Sequence, residues 1–373
     1  MPHSGSDNLT NIAKRYSSLK YTLAILDTIY LLFLLLIFLG SGLSGILTQW
    51  LFKFTTHNYL IKPLYLLIIS LGYYFLSFPL TFYQSHILEH KFSLSKQCLR
   101  DWFMDQIKGA ILSYIIAVIL ISAFYYVLGR NPKAWWLIIS LFWIFFSLIL
   151  AKLVPIIIIP LFFKYKKLSD EILRERIINL AHKMKIKILD CFEIDFSKKT
   201  LKANAAFVGW GITRRVILAD TLKDKYSHDE IEVILAHEFA HYRLKHLVKL
   251  ILINSLTIIL SFYIIFTSSS YFLGIFGLSS LSDIAALPII LIYLVIFGII
   301  MQPFENYISR RLERNADMLA LKITGLKEAF ISMMEKLATQ NLADRNPQPL
   351  IKFFFFDHPP VDERITTAKN SII

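Results

Sequence analysis

Six stretches of this chain, Thr22–Leu47, Leu60–Phe82, Ile107–Leu128, Ala134–Phe163, Leu247–Ser268 and Ile284–Met301, are too long and too apolar to fold in water. A bilayer core of ~30 Å takes about 20 helical residues to cross, and every one of these runs can do so. Lipid offers the backbone no hydrogen-bond partner, so each must close its own bonds as a helix. The 55% hydrophobic content and the positive mean hydropathy agree. The expected fold is therefore an all-α-dominated, multi-spanning membrane protein of about six helices, with a small α+β portion outside the bilayer. The first run is too long for the apolar core of a signal peptide and is followed by no small-x-small cleavage site, so it reads as a signal anchor.

The net charge of +13 reports orientation. Lys14, Arg15, Lys20, Lys91, Lys96 and Arg100 fall on one side of the spans and little beyond Lys53, Arg130 and Lys133 on the other, which puts both termini in the cytoplasm. Basic residues are interspersed with acids, so the partner is the lipid bilayer and not nucleic acid. Cys98 and Cys191 are too few for a disulfide framework and are expected as reduced thiols. Asp27 and Lys152 lie inside spans, where a charge costs ~2.5–3.5 kcal/mol on insertion scales, and either lines a watery interior or snorkels.

Chemistry concentrates between Ser227 and His246. Ser227 and Glu230 have capping-box spacing, and Ile231, Ile234 and Leu235 give the helix an apolar face. On that helix His237 and His241 stack one turn apart with Glu238 beside them, the H-E-x-x-H pattern of a zinc hydrolase. Two neutral imidazoles bind the ion and the carboxylate deprotonates the water it polarises. The candidate third ligand is Glu313, in a second helical segment, Asn306 to Asp317. There Asp317 follows Glu313 by one turn, so one carboxylate can ligate while the other holds a ligand imidazole. His246 falls about 140° around the helix from His241, a poor position for a ligand.

Between the fourth span and this helix, Ser169–Ile186 reads as an amphipathic helix capped by Ser169, with Ile172, Leu173, Ile177, Leu180, Ala181 and Met184 at helical spacing. Short β-rich runs follow at 190–196, 204–210 and 215–219, with Gly211-Ile212-Thr213 as the reversal. Pro155 and Pro160 are expected to bend the fourth helix as it leaves the bilayer. Leu326–Gln340 reads as a further amphipathic helix after the break at Gly325.

The sequence Asn306-x-x-Ser309-Arg310-x-x-Glu313-x-x-Ala316-Asp317 after H-E-x-x-H resembles the integral-membrane gluzincin metalloproteases, above all the type I CAAX prenyl proteases. Further matches extend the resemblance over nearly the whole chain: specific ones at Asn204 to Gly209 and His358 to Arg364, and looser ones at Glu89 to Gln97 and Pro160 to Tyr165. It implies one Zn²⁺ held by His237, His241 and Glu313, Glu238 as general base, and Asp317 and Arg310 as supporting groups. It also implies His358 at the oxyanion, and Asn204 and Ala205 on an edge strand that holds a peptide or protein substrate, possibly prenylated. It further implies spans that enclose a chamber. The division expected is 1–163, four spans; 164–246, a cytoplasmic segment with the edge strand and the H-E-x-x-H helix; 247–303, two spans; 304–373, the third ligand and His-Pro-Pro. The chain departs from the family at Ser93 in place of Gly, at Ser197-Lys198-Lys199-Thr200, at Lys245 in place of Asn and at Asp357 in place of Ser. A membrane quality-control protease of the HtpX type and a catalytically silent scaffold with a structural zinc stay open, as does the oligomeric state.

Overall fold

The computed structural model describes residues 3–55, 57–209 and 214–371. Helices α1 (His3–Gly40), α2 (Leu43–Phe54), α3 (Asn58–Phe82), α4 (Leu99–Arg130) and α5 (Trp135–Leu153) form the amino-terminal half. A strand β1 (Tyr165–Lys167) and helix α6 (Glu171–Lys183) lead into strands β2 (Cys191–Ile194), β3 (Ala205–Val208) and β4 (Arg215–Ala219). Then come α7 (His228–Arg243), α8 (His246–Ile275), α9 (Leu287–Thr324), α10 (Lys327–Gln340), α11 (Pro349–Phe355) and α12 (Val361–Asn370).

Among the described residues six helices are long and apolar enough to cross a bilayer: Leu9–Gly40, Tyr59–Lys91, Leu99–Arg130, Trp135–Phe162, His246–Ile275 and Ile284–Thr324. The first differs from the expected Thr22–Leu47 at both ends. The polar lead is helical and continuous with the span, while the apolar run breaks at Ser41-Gly42, where Gly42 takes φ 75°. Hydropathy cannot see that break, because the residues on both sides of it are apolar. The 12 residues of α2 reach about 18 Å, too short to cross alone. As expected from its prolines, the fourth span loses regular α geometry at Pro155, in a π-helical turn Val154–Ile158.

Burial in the spans is confined to two depths. At one end Leu39, Tyr65, Phe124, Trp135, Phe262 and Leu287 belong to one buried cluster. At the other, Tyr16, Leu88 and Leu94 pack under Leu342. Between them no residue is fully buried over 24–38, 67–76, 103–123, 141–154, 247–260 or 291–302, so all six spans lack a buried stripe at mid-depth. A close-packed bundle buries one stripe of each helix throughout. The helices still touch at mid-depth, where the Tyr30 hydroxyl donates to the Leu76 carbonyl at 3.2 Å, but no fully buried core fills the space between them there.

The sheet has order β1-β2-β4-β3. β3 pairs antiparallel with β4, Ala205 opposite Leu218, and among the described residues its other edge is free. β1 was not foreseen; three residues carry no readable alternation. The cap of α6 is Asp170, which accepts the Leu173 N–H, and not Ser169. Ile172 faces solvent at 69% exposure while Leu173, Ile177, Leu180 and Ala181 of that helix are buried. Trp210 and the expected reversal Gly211-Ile212-Thr213 lie outside the described residues.

In the loop after the second span Ser93 keeps the left-handed conformation, φ 55°, that Gly would adopt freely. Its Cβ costs ~1–2 kcal/mol in that region, part of which glycine gives back as lost backbone entropy. Ser93→Gly is expected to stabilise the protein by about 0.5–1 kcal/mol, read as a higher denaturation midpoint in detergent.

Candidate active site

The capping box of α7 forms as its sequence dictates, with Ser227 Oγ accepting the Glu230 N–H at 3.3 Å and Glu230 Oε2 accepting the Ser227 N–H at 2.8 Å. Glu230 also accepts from Ser332 at 2.7 Å and from Lys336 at 2.7 Å, which ties the start of α7 to α10. Further along, Leu235, Ala236, Phe239 and Ala240 pack into one core with Ala316, Ala320 and Leu321 of α9. Small residues at that seam let the two helices approach closely, and the approach brings His237, His241 and Glu313 together.

His237 Nε2 lies 3.1 Å from His241 Nε2 and 3.1 Å from Glu313 Oε2, and His241 Nε2 lies 3.2 Å from Glu313 Oε1. Bonds of 2.0–2.1 Å to a tetrahedral ion require ligand atoms roughly 3.3 Å apart. Glu313 Oε2 is buried and lacks a hydrogen-bond partner of acceptable geometry. Lone pairs from two imidazoles and a carboxylate crowded at this spacing repel one another unless a proton or a metal ion sits among them, and their number, type and spacing fit a metal.

Asp317 Oδ1 is 2.8 Å from His237 Nδ1, but off the direction of the ring N–H, so the pair acts more through charge than as a linear hydrogen bond. Arg364 grips Asp317 with two bonds, Nε to Oδ2 at 2.8 Å and a terminal nitrogen to Oδ1 at 2.5 Å. Burial works against a charged ring at His237, yet Asp317, and after it Glu313, outweigh burial and push its pKa up to about 9. Glu238 faces the same space; burial raises its carboxyl and the neighbouring imidazoles pull it back. His358 Nε2 stands 3.4 Å from Glu313 Oε1, while its Nδ1 meets Asp357 at 2.8 Å.

Of the remaining expected residues, Arg310 does not reach the cluster. It is buried beneath the turn into His358, donating to the carbonyls of Lys352, at 3.1 Å, and Phe356. Asn204 precedes β3, its carbonyl accepting from Ala219, and Ala205 opens that strand. Phe207 of β3 meets Phe239 of α7 edge-on at 5.1 Å, which lays the free edge beside the H-E-x-x-H helix. Among the described residues Asp27 and Lys152 make no hydrogen bond or ion pair with these groups. Two contributors went unassigned in the sequence. Arg364 closes the His-Pro-Pro motif, but nothing in a run of charges says which one turns inward. His246 is no ligand, yet its Nδ1 lies 3.2 Å from His241 Nδ1.

Residues 167–372, more than half the chain, match the family described as Peptidase family M48. The chain belongs to that family. It is an M48 metalloprotease of the CAAX prenyl protease type, since residues 6–164 match the CAAX prenyl protease N-terminal family, described as having five membrane helices. Four of the spans and the short α2 occupy that stretch here. An uncharacterized metalloprotease, YhfN, of Bacillus subtilis is 29% identical over 96% of this chain and 85% of its own length. CAAX prenyl protease 1 of Saccharomyces cerevisiae is 30% identical over 77% of this chain and 67% of its own. The crystal structure of S. mikatae Ste24p superposes with a TM-score of 0.87 at 26% identity, covering 97% of this chain and 89% of that one. The M48 membership implies a metal, and the cluster above is where the described residues can hold one.

A raised His237 has a sign consequence. Its folded pKa of about 9 exceeds the unfolded ~6.5, so its charge stabilises the metal-free fold fully below pH ~6.5 and ceases to do so as pH rises through 9. Metal must displace that proton. Apparent metal affinity is expected to climb about tenfold per pH unit between pH 6.5 and 9, with one proton released per ion, measured by calorimetry in buffers of different ionisation enthalpy.

Proposed function

We propose that this protein is an integral-membrane zinc endopeptidase that removes the carboxyl-terminal residues following a prenylated cysteine. The observation that carries the reading is the convergence of His237, His241 and Glu313 beside a free strand edge. Zn²⁺ bound there would supply Lewis acidity and lower the pKa of a bound water to ~7. Glu238, half-buried and with its carboxyl raised by desolvation, is suited to take the proton from the attacking water and hand it to the leaving amine. β3 holds the peptide by main-chain bonds, beginning at Asn204 and Ala205, without demanding particular side chains. His358 donates to the oxyanion that develops on the scissile carbonyl, held in place by Asp357. Asp317, gripped by Arg364, keeps the His237 ring oriented.

Prenylation of the substrate is supported by two things: the CAAX prenyl protease 1 relatives, and a site built at the ends of α8 and α9, where a lipid-anchored peptide would be delivered. An apolar cavity of 450 Å³ among Leu34, Phe38, Leu47, Ile69 and Leu291 adds hydrocarbon-lined space within the bundle. The positive-inside distribution supports a cytoplasmic site.

Glu238→Gln is expected to lower cleavage by about 10²–10⁴-fold while bound zinc stays at wild-type stoichiometry. A farnesylated peptide is expected to be cut with at least tenfold higher kcat/KM than its unprenylated twin. Equal cleavage of both peptides moves the assignment to a quality-control protease, and a zinc-loaded wild type that cuts neither leaves only the scaffold. His358→Ala is expected to reduce kcat by roughly 10²–10³-fold with KM little changed, in the same peptide assay.

A further inference from the structure

We propose that His246 is a positioning residue for His241, fixing through its Nδ1 the tautomer and tilt of that imidazole. This rests on the assignment of His241 as a metal ligand. The two rings meet edge to face with centroids 5.0 Å apart and their Nδ1 atoms at 3.2 Å. His241 turns Nε2 toward His237 and Glu313, so Nε2 is the nitrogen whose lone pair serves an ion. A neutral imidazole with a free lone pair on Nε2 carries its proton on Nδ1. His241 therefore donates from Nδ1, and His246 must accept on its own Nδ1.

That assignment puts the His246 proton on Nε2. This nitrogen is buried and without a hydrogen-bond partner among the described residues. His246 itself is 1% exposed. A buried donor left unpaired is a cost that a histidine used for packing has no reason to carry, since leucine fills similar space without it. The backbone bears a second cost toward the same contact. α7 ends at Arg243, and Lys245 adopts φ 55°, the left-handed region that side chains with a Cβ avoid. That residue reverses the chain so that the first residue of α8 folds back onto the last turn of α7.

The two imidazoles are then held differently. His237 leans on an ionised carboxylate backed by Arg364, and His241 on a neutral ring. Partners of this kind tune ligand orientation and basicity, and their loss typically costs 10–100-fold in metal affinity.

The test uses the full chain in detergent micelles with no peptide present, so its outcome is independent of which substrate the enzyme takes. Zinc affinity is read by competition with a chromophoric chelator, and the Co²⁺-loaded protein by its visible absorption. His246→Leu, which keeps apolar bulk and removes both nitrogens, is expected to bind zinc 10–100-fold more weakly and to shift the Co²⁺ bands. His246→Gln, whose Oε1 can accept the same proton, is expected to recover affinity to within a few-fold. Wild-type affinity and an unchanged Co²⁺ spectrum in His246→Leu overturn the proposal. Equal losses in the Leu and Gln variants also overturn it, because they assign the ring to packing. Should His246→Leu not fold, His246→Phe takes its place with the same two outcomes.

Discussion

The seam between α7 and α9 is the contact on which the molecule depends. α9 runs 38 residues without interruption, about 57 Å, from the far end of the bundle through the bilayer and into the soluble portion. Its membrane half belongs to the cluster around Leu287 and Ile290, and its outer half to the metalloprotease core around Ala316 and Ala320. One element therefore registers both layers. The small side chains Ala236, Ala240, Ala316 and Ala320 are what permit two helices carrying three polar metal-competent groups to close on each other. A larger residue at any of them would hold Glu313 away from both imidazoles, and the donor geometry tolerates less than an ångström of such displacement.

The same polar groups are expensive where they stand. His237, Glu313, Asp317 and Arg310 are all buried, and burial of ionisable groups is tolerated only when each finds a partner. Asp317 takes two bonds from Arg364, Arg310 spends its donors on two carbonyls, and Glu313 faces three imidazole nitrogens. Of the five buried side-chain atoms without a well-aligned hydrogen bond among the described residues, three, His237 Nδ1, Glu313 Oε2 and His246 Nε2, surround the cluster, and the others, His86 Nδ1 and the Tyr226 hydroxyl, lie apart from it. Unsatisfied atoms gathered on one spot mark stability given up for binding, because a site built for the fold alone would satisfy them internally.

How much of this was legible in the sequence follows from the range of each signal. H-E-x-x-H with its capping box is a local pattern on one helix, and it formed as read. The six spans are equally local in hydropathy, but their ends are not: the break at Ser41-Gly42 depends on a backbone angle, and the extension of α1 to its polar lead depends on partners far away, such as Leu342, whose carbonyl accepts from Ser17. His246 is instructive because the argument that it is no ligand assumed a helix running on past His241. The helix instead stops at Arg243 and the chain turns back, so the residue comes nearer than a wheel allows and serves from behind the ring. Arg310 and Arg364 show the converse limit, two arginines in charged runs whose burial and aim come from α11 and α12 packing across α9. No period along the sequence encodes that.

The arrangement also explains why a site made of distant segments can be precise. Glu313 and Asp317 belong to α9, and Arg310, one turn earlier on the same helix, fixes the carbonyls of Lys352 and Phe356 just before His358, while Asn306 holds that of Phe354. The group expected at the oxyanion is thus referenced to the helix that supplies the third metal-competent carboxylate, although it sits on a turn. His237, His241 and Glu238 are referenced to α7, and the free edge of β3 to α7 through Phe207. Two helices, α7 and α9, consequently define the distances among His237, His241 and Glu313, and no loop enters them. Because one of those helices is itself a membrane span, the depth of the chemistry relative to the bilayer is set by helix length. Between Met301 and Glu313 the helix is continuous, and its interior proline, Pro303, is the position at which its axis can bend.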